Sequence, residues 1–148
     1  MLFGKRERAI QRILIVEDEA LVAFDSEHLL GEEGYDIVGT VDSHAAALAI
    51  IEAEELDLVM SDISLSSDGD GFDVARAAAA KGIAVLFVSG SSPAVEAQGL
   101  ALGCLAKPYT DRSLKAALEA LDRKLQGLEV KKLPPGLSLY EQGADTAP

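Results

Sequence analysis

The chain has 148 residues, 49% of them hydrophobic, and a mean hydropathy of +0.18, which fit one domain with a true core and exclude general disorder. Its formal net charge of −12 opposes binding to the phosphates of nucleic acid. It lacks both an apolar run of about 18 residues and the apolar part of a secretory signal, so we expect no membrane partner. The single cysteine, Cys104, excludes an intramolecular disulfide and fits a cytoplasmic protein.

Apolar runs and amphipathic stretches alternate along the chain. Gly34 suits the end of a first helix, Ser43 the N-cap of a second, and Pro93 the first turn of a fourth. The pattern predicts strands over 12–16, 35–41, 56–61, 83–88 and 104–106, and helices over 19–33, 44–54, 72–81, 93–102 and 111–125. This alternation predicts an α/β fold: a flavodoxin-like, doubly wound, five-stranded parallel sheet of order 2-1-3-4-5 with five helices.

The predicted domain occupies residues 12–125, after an N-terminal extension over 1–11. Beyond Leu125 the periodicity is lost, and Pro134-Pro135-Gly136 interrupts the chain. We interpret residues 126–148 as a tail or a packed extension, too short and irregular for an output domain.

Polar residues stand at the ends of four predicted strands. Glu17 and Asp18 follow the first strand, Asp62 the third, Ser89 the fourth and Lys107 the fifth. In open α/β sheets, ligands bind outside the carboxyl ends of the strands where the strand order reverses, here between strands one and three. We therefore expect the three carboxylates to meet in one hollow, with Ser89 and Lys107 beside them.

These residue types suit phosphoryl transfer. Neighbouring carboxylates raise one another's pKa unless a cation compensates them, and Mg²⁺ suits oxygen ligands and phosphate partners. Lys107 would bring a positive charge to a phosphoryl oxygen, and the Ser89 hydroxyl would donate to another. Asp62 is the expected nucleophile, because carboxylates form acyl phosphates in covalent catalysis.

Four fragments together resemble the receiver domain of bacterial two-component response regulators over roughly residues 11–125. They are Ile13 to Glu19, Met60-Ser61-Asp62, Val88-Ser89-Gly90 and Ala106-Lys107-Pro108-Tyr109. The resemblance implies that Asp62 accepts a phosphoryl group from a phosphohistidine on a sensor histidine kinase or a histidine phosphotransferase.

The same resemblance implies a role for each site residue. Mg²⁺ would be bound by Asp18, Asp62 and the backbone carbonyl of Ser64, with Glu17 acting through water. Ser89 and Lys107 would bind the phosphoryl oxygens and couple phosphorylation to the neighbouring helices and strands.

The chain departs from the usual receiver pattern at specific positions. Cys104 stands where receivers commonly carry an aromatic switch residue, and Ser66 stands where a proline is frequent. Phe87-Val88-Ser89-Gly90 is similar to the Phe-x-Thr/Ser-Gly signature of a subclass called FATGUY, typical of single-domain regulators paired with HWE or related kinases. This likeness implies that the loop over residues 90–93, rather than an aromatic rotamer, is the mobile element.

Three functions follow as hypotheses. The first is a stand-alone response regulator that binds a downstream protein or acts as a phosphate sink; it is no enzyme beyond self-catalysed, Mg²⁺-dependent phosphoryl transfer to and from Asp62. The second is a phosphorylation-independent interaction module, which Cys104 favours. The third is a phosphatase of the haloacid-dehalogenase type, which would need an acid at the position of Ser64.

Overall fold

The computed structural model describes residues 7–63, 71–90 and 99–140. Its strands are β1 (Arg12–Val16), β2 (Asp36–Val41), β3 (Leu58–Asp62), β4 (Ala84–Ser89), β5 (Gly103–Ala106) and β6 (Leu137–Leu139). Its helices are α1 (Ala20–Glu32), α2 (His44–Ala53), α3 (Gly71–Ala80) and α4 (Asp111–Leu125). Among the described residues, no helix is long and apolar enough to span a bilayer.

The strands form one sheet in the order β2-β1-β3-β4-β5-β6. The first five are parallel, as predicted, and β6 runs antiparallel to β5. The doubly wound class and the 2-1-3-4-5 order are confirmed. The strand count of five is wrong, because the segment interpreted as a tail or a packed extension supplies a sixth strand. Most of the predicted helix 93–102 lies outside the described residues, and Gly103, the residue that follows it, begins β5.

Helices cover both faces of the sheet. Ile13 and Ile15 of β1 belong to the core cluster that includes α1 and α4, whereas Leu14 and Val16 belong to the cluster that includes α2 and α3. Side chains alternate between the two faces of a strand, so both faces are buried. This double burial is why the strands read as nearly continuous apolar runs.

The ends of the helices follow local sequence signals. The Ser43 hydroxyl accepts a hydrogen bond from the backbone N–H of Ala46 at 3.2 Å, as expected for an N-cap, and Gly34 has a φ of +98°. Thr110 and Ser113 form a reciprocal capping box at the start of α4. This cap sets the start of α4 close behind Lys107.

Backbone pairing holds β6 on the sheet. The carbonyl of Gly136 (φ +86°) accepts from the Ala106 N–H at 2.9 Å, and the Tyr140 N–H donates to the Leu102 carbonyl at 2.8 Å. A Cβ added to Gly103 would overlap the backbone carbonyl of Ser138. The missing side chain of Gly103 therefore allows this close approach of the two strands.

Segments on both sides of the predicted domain reach its core. The Ile10 N–H donates to the buried carboxylate of Asp122 on α4 at 2.8 Å, and the Ile10 side chain is fully buried. Leu137 of β6 joins the same core cluster. The boundaries placed after residues 11 and 125 stay predictions.

Candidate functional site

The carboxyl ends of β1 and β3 bring three acidic side chains together. Val16 lies opposite Ser61 in the parallel pair, so Glu17 and Asp18 follow β1 next to Asp62, the last residue of β3. Carboxylate oxygens of Glu17, Asp18 and Asp62 all lie within 4.8 Å of one another. Glu17 and Asp62 are buried and Asp18 is half-buried, so the cluster forms a shielded hollow.

Lys107 reaches this hollow from the end of β5. Its Nζ lies 3.0 Å from Asp62 Oδ2, 3.1 Å from Glu17 Oε2 and 2.7 Å from Glu19 Oε1. The Lys107 N–H donates to the Ser89 carbonyl at 2.8 Å, which anchors Lys107 to the end of β4. The structure thus gathers Glu17, Asp62 and Lys107 directly and sets Ser89 beside Lys107.

Burial and ion pairing act in opposite directions on the ionisable groups. Burial raises the pKa of Glu17 above its usual value, while hydrogen bonds from the Glu19 backbone and from Lys107 oppose that rise. Burial by itself would lower the pKa of Lys107, but hydrogen bonds to Glu19, Asp62 and Glu17 outweigh burial and raise it. Lys107 therefore remains a cation at neutral pH.

The carboxylate cluster fits a hard divalent cation. Every donor in it is an oxygen, the coordination that Mg²⁺ prefers, and clustered carboxylates repel one another without such compensation. Ser64, the other predicted ligand, lies outside the described residues, as do residues 91–93 of the predicted mobile loop.

Glu19 is a site residue that sequence analysis missed. It belongs to the acidic run Glu17-Asp18-Glu19 and occupies the N-cap of α1, where its side chain makes no capping hydrogen bond. That side chain pairs with Lys107 instead. The sequence signal for this contact was the third acid of the run. An acid at this position also suits the N-terminus of a helix, so its place in the sequence could not distinguish a capping residue from a partner of Lys107.

A second missed contact joins α1 to the loop after Lys107. The hydroxyls of Ser26 and Tyr109 lie 2.6 Å apart. They line a cleft of about 390 Å³ that opens beside Lys107 between α1 and the start of α4. The cleft shares Glu19 and Lys107 with the hollow.

Cys104 is a packing residue in this structure. It is 5% exposed and lies in the core cluster that includes α2 and α3, together with Tyr140. Burial raises the pKa of its thiol, which disfavours the reactive thiolate.

Comparison with known proteins identifies similar sequences. The family model described as "Response regulator receiver domain" matches residues 13–119. The chain is 37% identical over 114 residues to "Transcriptional regulatory protein PdtaR" of Mycobacterium tuberculosis, an alignment that covers 74% of this chain and 55% of PdtaR. The chain thus spans about half the length of this curated relative.

Two solved structures share the fold over nearly their whole length. The solution structure of SdrG from Sphingomonas melonis Fr1 is 35% identical with a TM-score of 0.65, and the match covers 78% of this chain and 98% of SdrG. The signal receiver domain of a modulated diguanylate cyclase from Desulfovibrio desulfuricans G20 is 29% identical with a TM-score of 0.69, covering 79% and 97% of the two chains.

Proposed function

The chain belongs to the response regulator receiver domain family of two-component signalling, and from that premise we propose that it accepts a phosphoryl group on Asp62. The observation that carries the proposal is the position of the Asp62 carboxylate, 3.0 Å from the Lys107 ammonium and within 4.8 Å of the Glu17 and Asp18 carboxylates. The phosphoryl donor is the phosphohistidine of a sensor histidine kinase, of the HWE type, or of a histidine phosphotransferase.

The transfer exchanges a P–N bond for a P–O bond. A carboxylate oxygen of Asp62 attacks phosphorus, the P–N bond to the donor imidazole breaks, and its electron pair remains on the imidazole. Hydrolysis later adds water at phosphorus, releases inorganic phosphate and restores the carboxylate. The family is not one of conventional enzymes, and this self-catalysed cycle on Asp62 belongs to the proposal.

The surrounding residues bind and orient the phosphoryl group. Lys107 exchanges one of its carboxylate partners for a phosphoryl oxygen, and the Ser89 hydroxyl donates to another oxygen. Glu17, Asp18 and Asp62 would hold Mg²⁺, with the Ser64 carbonyl as a further ligand. When bound, the ion neutralises negative charge on the phosphoryl oxygens.

The phosphoryl donor docks along α1 in this proposal. Leu21 and Phe24 are exposed by 78% and 65%, and their i,i+3 spacing puts them on one side of the helix. Exposed apolar side chains of this size favour a protein contact. Because α1 begins directly after the hollow, a helical partner seated there would bring its histidine to Asp62.

The protein acts either by binding a downstream partner protein or as a phosphate sink, which removes phosphoryl groups from a shared kinase. Family membership supports recognition by proteins, and the net charge of −12 disfavours a nucleic-acid partner. The reaction places the chain in the cytoplasm, where histidine kinases carry their phosphoryl group.

Phosphorylation with two donors tests the proposal. With Mg²⁺ and acetyl phosphate, intact-protein mass spectrometry should detect one phosphoryl adduct in the natural protein and none in Asp62→Ala. The exposed Asp42, next to the end of β2, gives a matched control, and Asp42→Ala should still be labelled. An unlabelled natural protein, or a label that persists in Asp62→Ala, would contradict the proposal.

The second donor separates docking from chemistry. With the phosphorylated kinase or phosphotransferase that profiling of the source organism identifies, Phe24→Glu should slow labelling by about tenfold or more, because a charge enters the apolar contact. Labelling by acetyl phosphate should not change. Equal slowing with both donors would place Phe24 outside the docking surface.

The interaction-module alternative predicts a different pattern. A protein that has lost the phosphorylation switch would bind its partner equally well as the natural protein, as Asp62→Ala, and after treatment with acetyl phosphate. A steady turnover of a phosphomonoester that disappears in Asp62→Ala would instead revive the phosphatase alternative.

A further inference from the structure

A groove of about 480 Å³ lies between α4 and the segment that leads into β6. Ala106 and Pro108, the two neighbours of Lys107, lie along it. Arg112, Ser113 and Ala116 of α4 line one side, and residues 132–136 line the other. The groove therefore exists because the chain returns to pair with β5.

The groove is apolar and open to solvent. Ala106, Pro108 and Pro135 are exposed, and Leu133 is 40% exposed. Thr110 and Ser113, which also line it, direct their hydroxyls to each other in the capping box of α4. Recognition in the groove must therefore rest on apolar contact and charge more than on hydrogen bonds from these hydroxyls.

Two cations stand on opposite sides of this apolar surface. Arg112 on α4 and Lys132 on the facing segment are both exposed, and neither makes an ion pair with any residue that the structure describes. Lys115, one turn away from Arg112, is by contrast paired with Glu33 at 3.5 Å. Among the residues that the structure describes, those lining the groove include no acid, although the chain as a whole has a net charge of −12.

We propose that this groove binds an extended, acidic peptide segment of a partner protein. One or two apolar side chains of the peptide lie against Ala106, Pro108, Ala116 and Leu133, and flanking Asp or Glu carboxylates pair with Arg112 and Lys132. Charge complementarity selects this occupant, because Arg112 and Lys132 would repel a basic segment and would gain no ion pair from a neutral one. Binding here does not require phosphoryl chemistry at Asp62.

Selection from a random peptide library against the full chain tests the proposal. Selected sequences should share one or two apolar residues flanked by Asp or Glu. The same peptides, resynthesised with a fluorophore, should bind in anisotropy titrations and shift the amide resonances of Ala106, Thr110, Ala116 and Gly136 in the ¹⁵N-labelled protein. Their affinity should fall as salt concentration rises.

Point variants locate the binding site. Ala116→Glu, which puts a carboxylate on the groove surface, should weaken peptide binding by about tenfold or more, and Lys132→Gln should weaken it by about threefold. Ala79→Glu on the exposed side of α3 is the matched control, since it adds the same charge to another helix. It should bind the peptides as the natural protein does.

Several results would overturn the proposal. They are enrichment of no sequence, enrichment of basic sequences, amide shifts confined to α1, or equal weakening by Ala79→Glu and Ala116→Glu. Self-association in sedimentation velocity that Ala116→Glu abolishes would instead assign the groove to a second copy of the chain. Asp62→Ala should retain peptide binding, so failure of the phosphorylation proposal and failure of this one can be distinguished.

Discussion

The two sides of the end of β5 differ in the chemistry that they offer. On one side Lys107 enters a hollow lined by carboxylates, and its ammonium contacts Glu17, Glu19 and Asp62. On the other side Ala106 and Pro108 line an exposed apolar groove that also contains the cations Arg112 and Lys132. Side chains of consecutive residues point to opposite sides of a strand. One strand end can therefore contribute both to the charged hollow and to the apolar groove.

Different forces also hold the two regions together. Side-chain charges maintain the hollow, whereas backbone hydrogen bonds and close packing at Gly103 hold β6 beside β5. Changes of charge in the hollow and binding of Mg²⁺ should therefore change the free energy of unfolding. At the β6 edge, added side-chain volume and ionisation of Tyr140 should change it.

Removal of the Lys107 charge should have the largest effect. Lys107→Met leaves the clustered carboxylates without their cation, and we expect the free energy of unfolding to fall by about 2–3 kcal/mol at low ionic strength. Mg²⁺ should restore more stability to this variant than to the natural protein, because the ion replaces the lost charge. Urea unfolding with and without Mg²⁺ measures both effects.

Lys115→Met is the matched control for that comparison. Its pair with Glu33 spans 3.5 Å at the surface, where ion pairs contribute about 0–1 kcal/mol. Equal losses in the two lysine variants, or a Mg²⁺ response that is the same in both, would show that the hollow is not held together by charge.

Gly103→Ala should have a smaller effect, on the opposite side of β5. The new Cβ would overlap the Ser138 carbonyl, so we expect a loss of about 1–3 kcal/mol of unfolding free energy and faster amide exchange in β6. Labelling of Asp62 by acetyl phosphate should continue, because the hollow keeps its charges.

Gly31→Ala in α1 is the control for the glycine substitution. A Cβ at Gly31 meets no atom within 4 Å, and alanine in place of glycine within a helix should stabilise the protein by about 0.5–1 kcal/mol. A Gly103→Ala protein as stable as the natural one would mean that β6 separates from β5 in solution.

Tyr140→Phe should have the smallest effect. Burial raises the pKa of Tyr140 to about 12 from 10.0, so the native state keeps its phenolic proton at pH values where the unfolded chain has lost it. Stability due to this group therefore falls as pH rises from 10 to 12, and the variant should show a shallower fall. At neutral pH, where the phenol is protonated in both states, the variant should differ from the natural protein by no more than about 1 kcal/mol.

Urea unfolding at a series of alkaline pH values, on both proteins, provides the measurement. Tyr35 and Tyr109 also have pKa values raised by burial, so the variant retains part of the pH dependence. Parallel stability curves for the two proteins would show that Tyr140 ionises as freely in the native state as in the unfolded chain.

Much of the fold could be predicted because its signals are local. The alternation of apolar strands with helical stretches gave the order of the first five strands, and Ser43 and Gly34 marked helix ends. Residues at the strand ends could be grouped into one hollow because parallel strands of a doubly wound sheet end at the same edge. The geometry of Asp62 and Lys107 matches that expectation, while the roles assigned to them stay proposals.

Sequence by itself determined the elements that repeat a period over five residues or more, since burial on one or both faces imposes that period on the chain. It also determined the shorter β5, through the place of that strand in the alternation of strands and helices. Tertiary structure alone decided the pairing of Glu19 with Lys107, the addition of β6 and the groove behind Lys107. Leu137–Leu139 is too short to show a period, and its partner strand is distant in sequence. The position of such a segment depends on which edge of the sheet is unpaired and on whether a residue such as Gly103 leaves space for a close strand. The sequence of the segment contains neither piece of information.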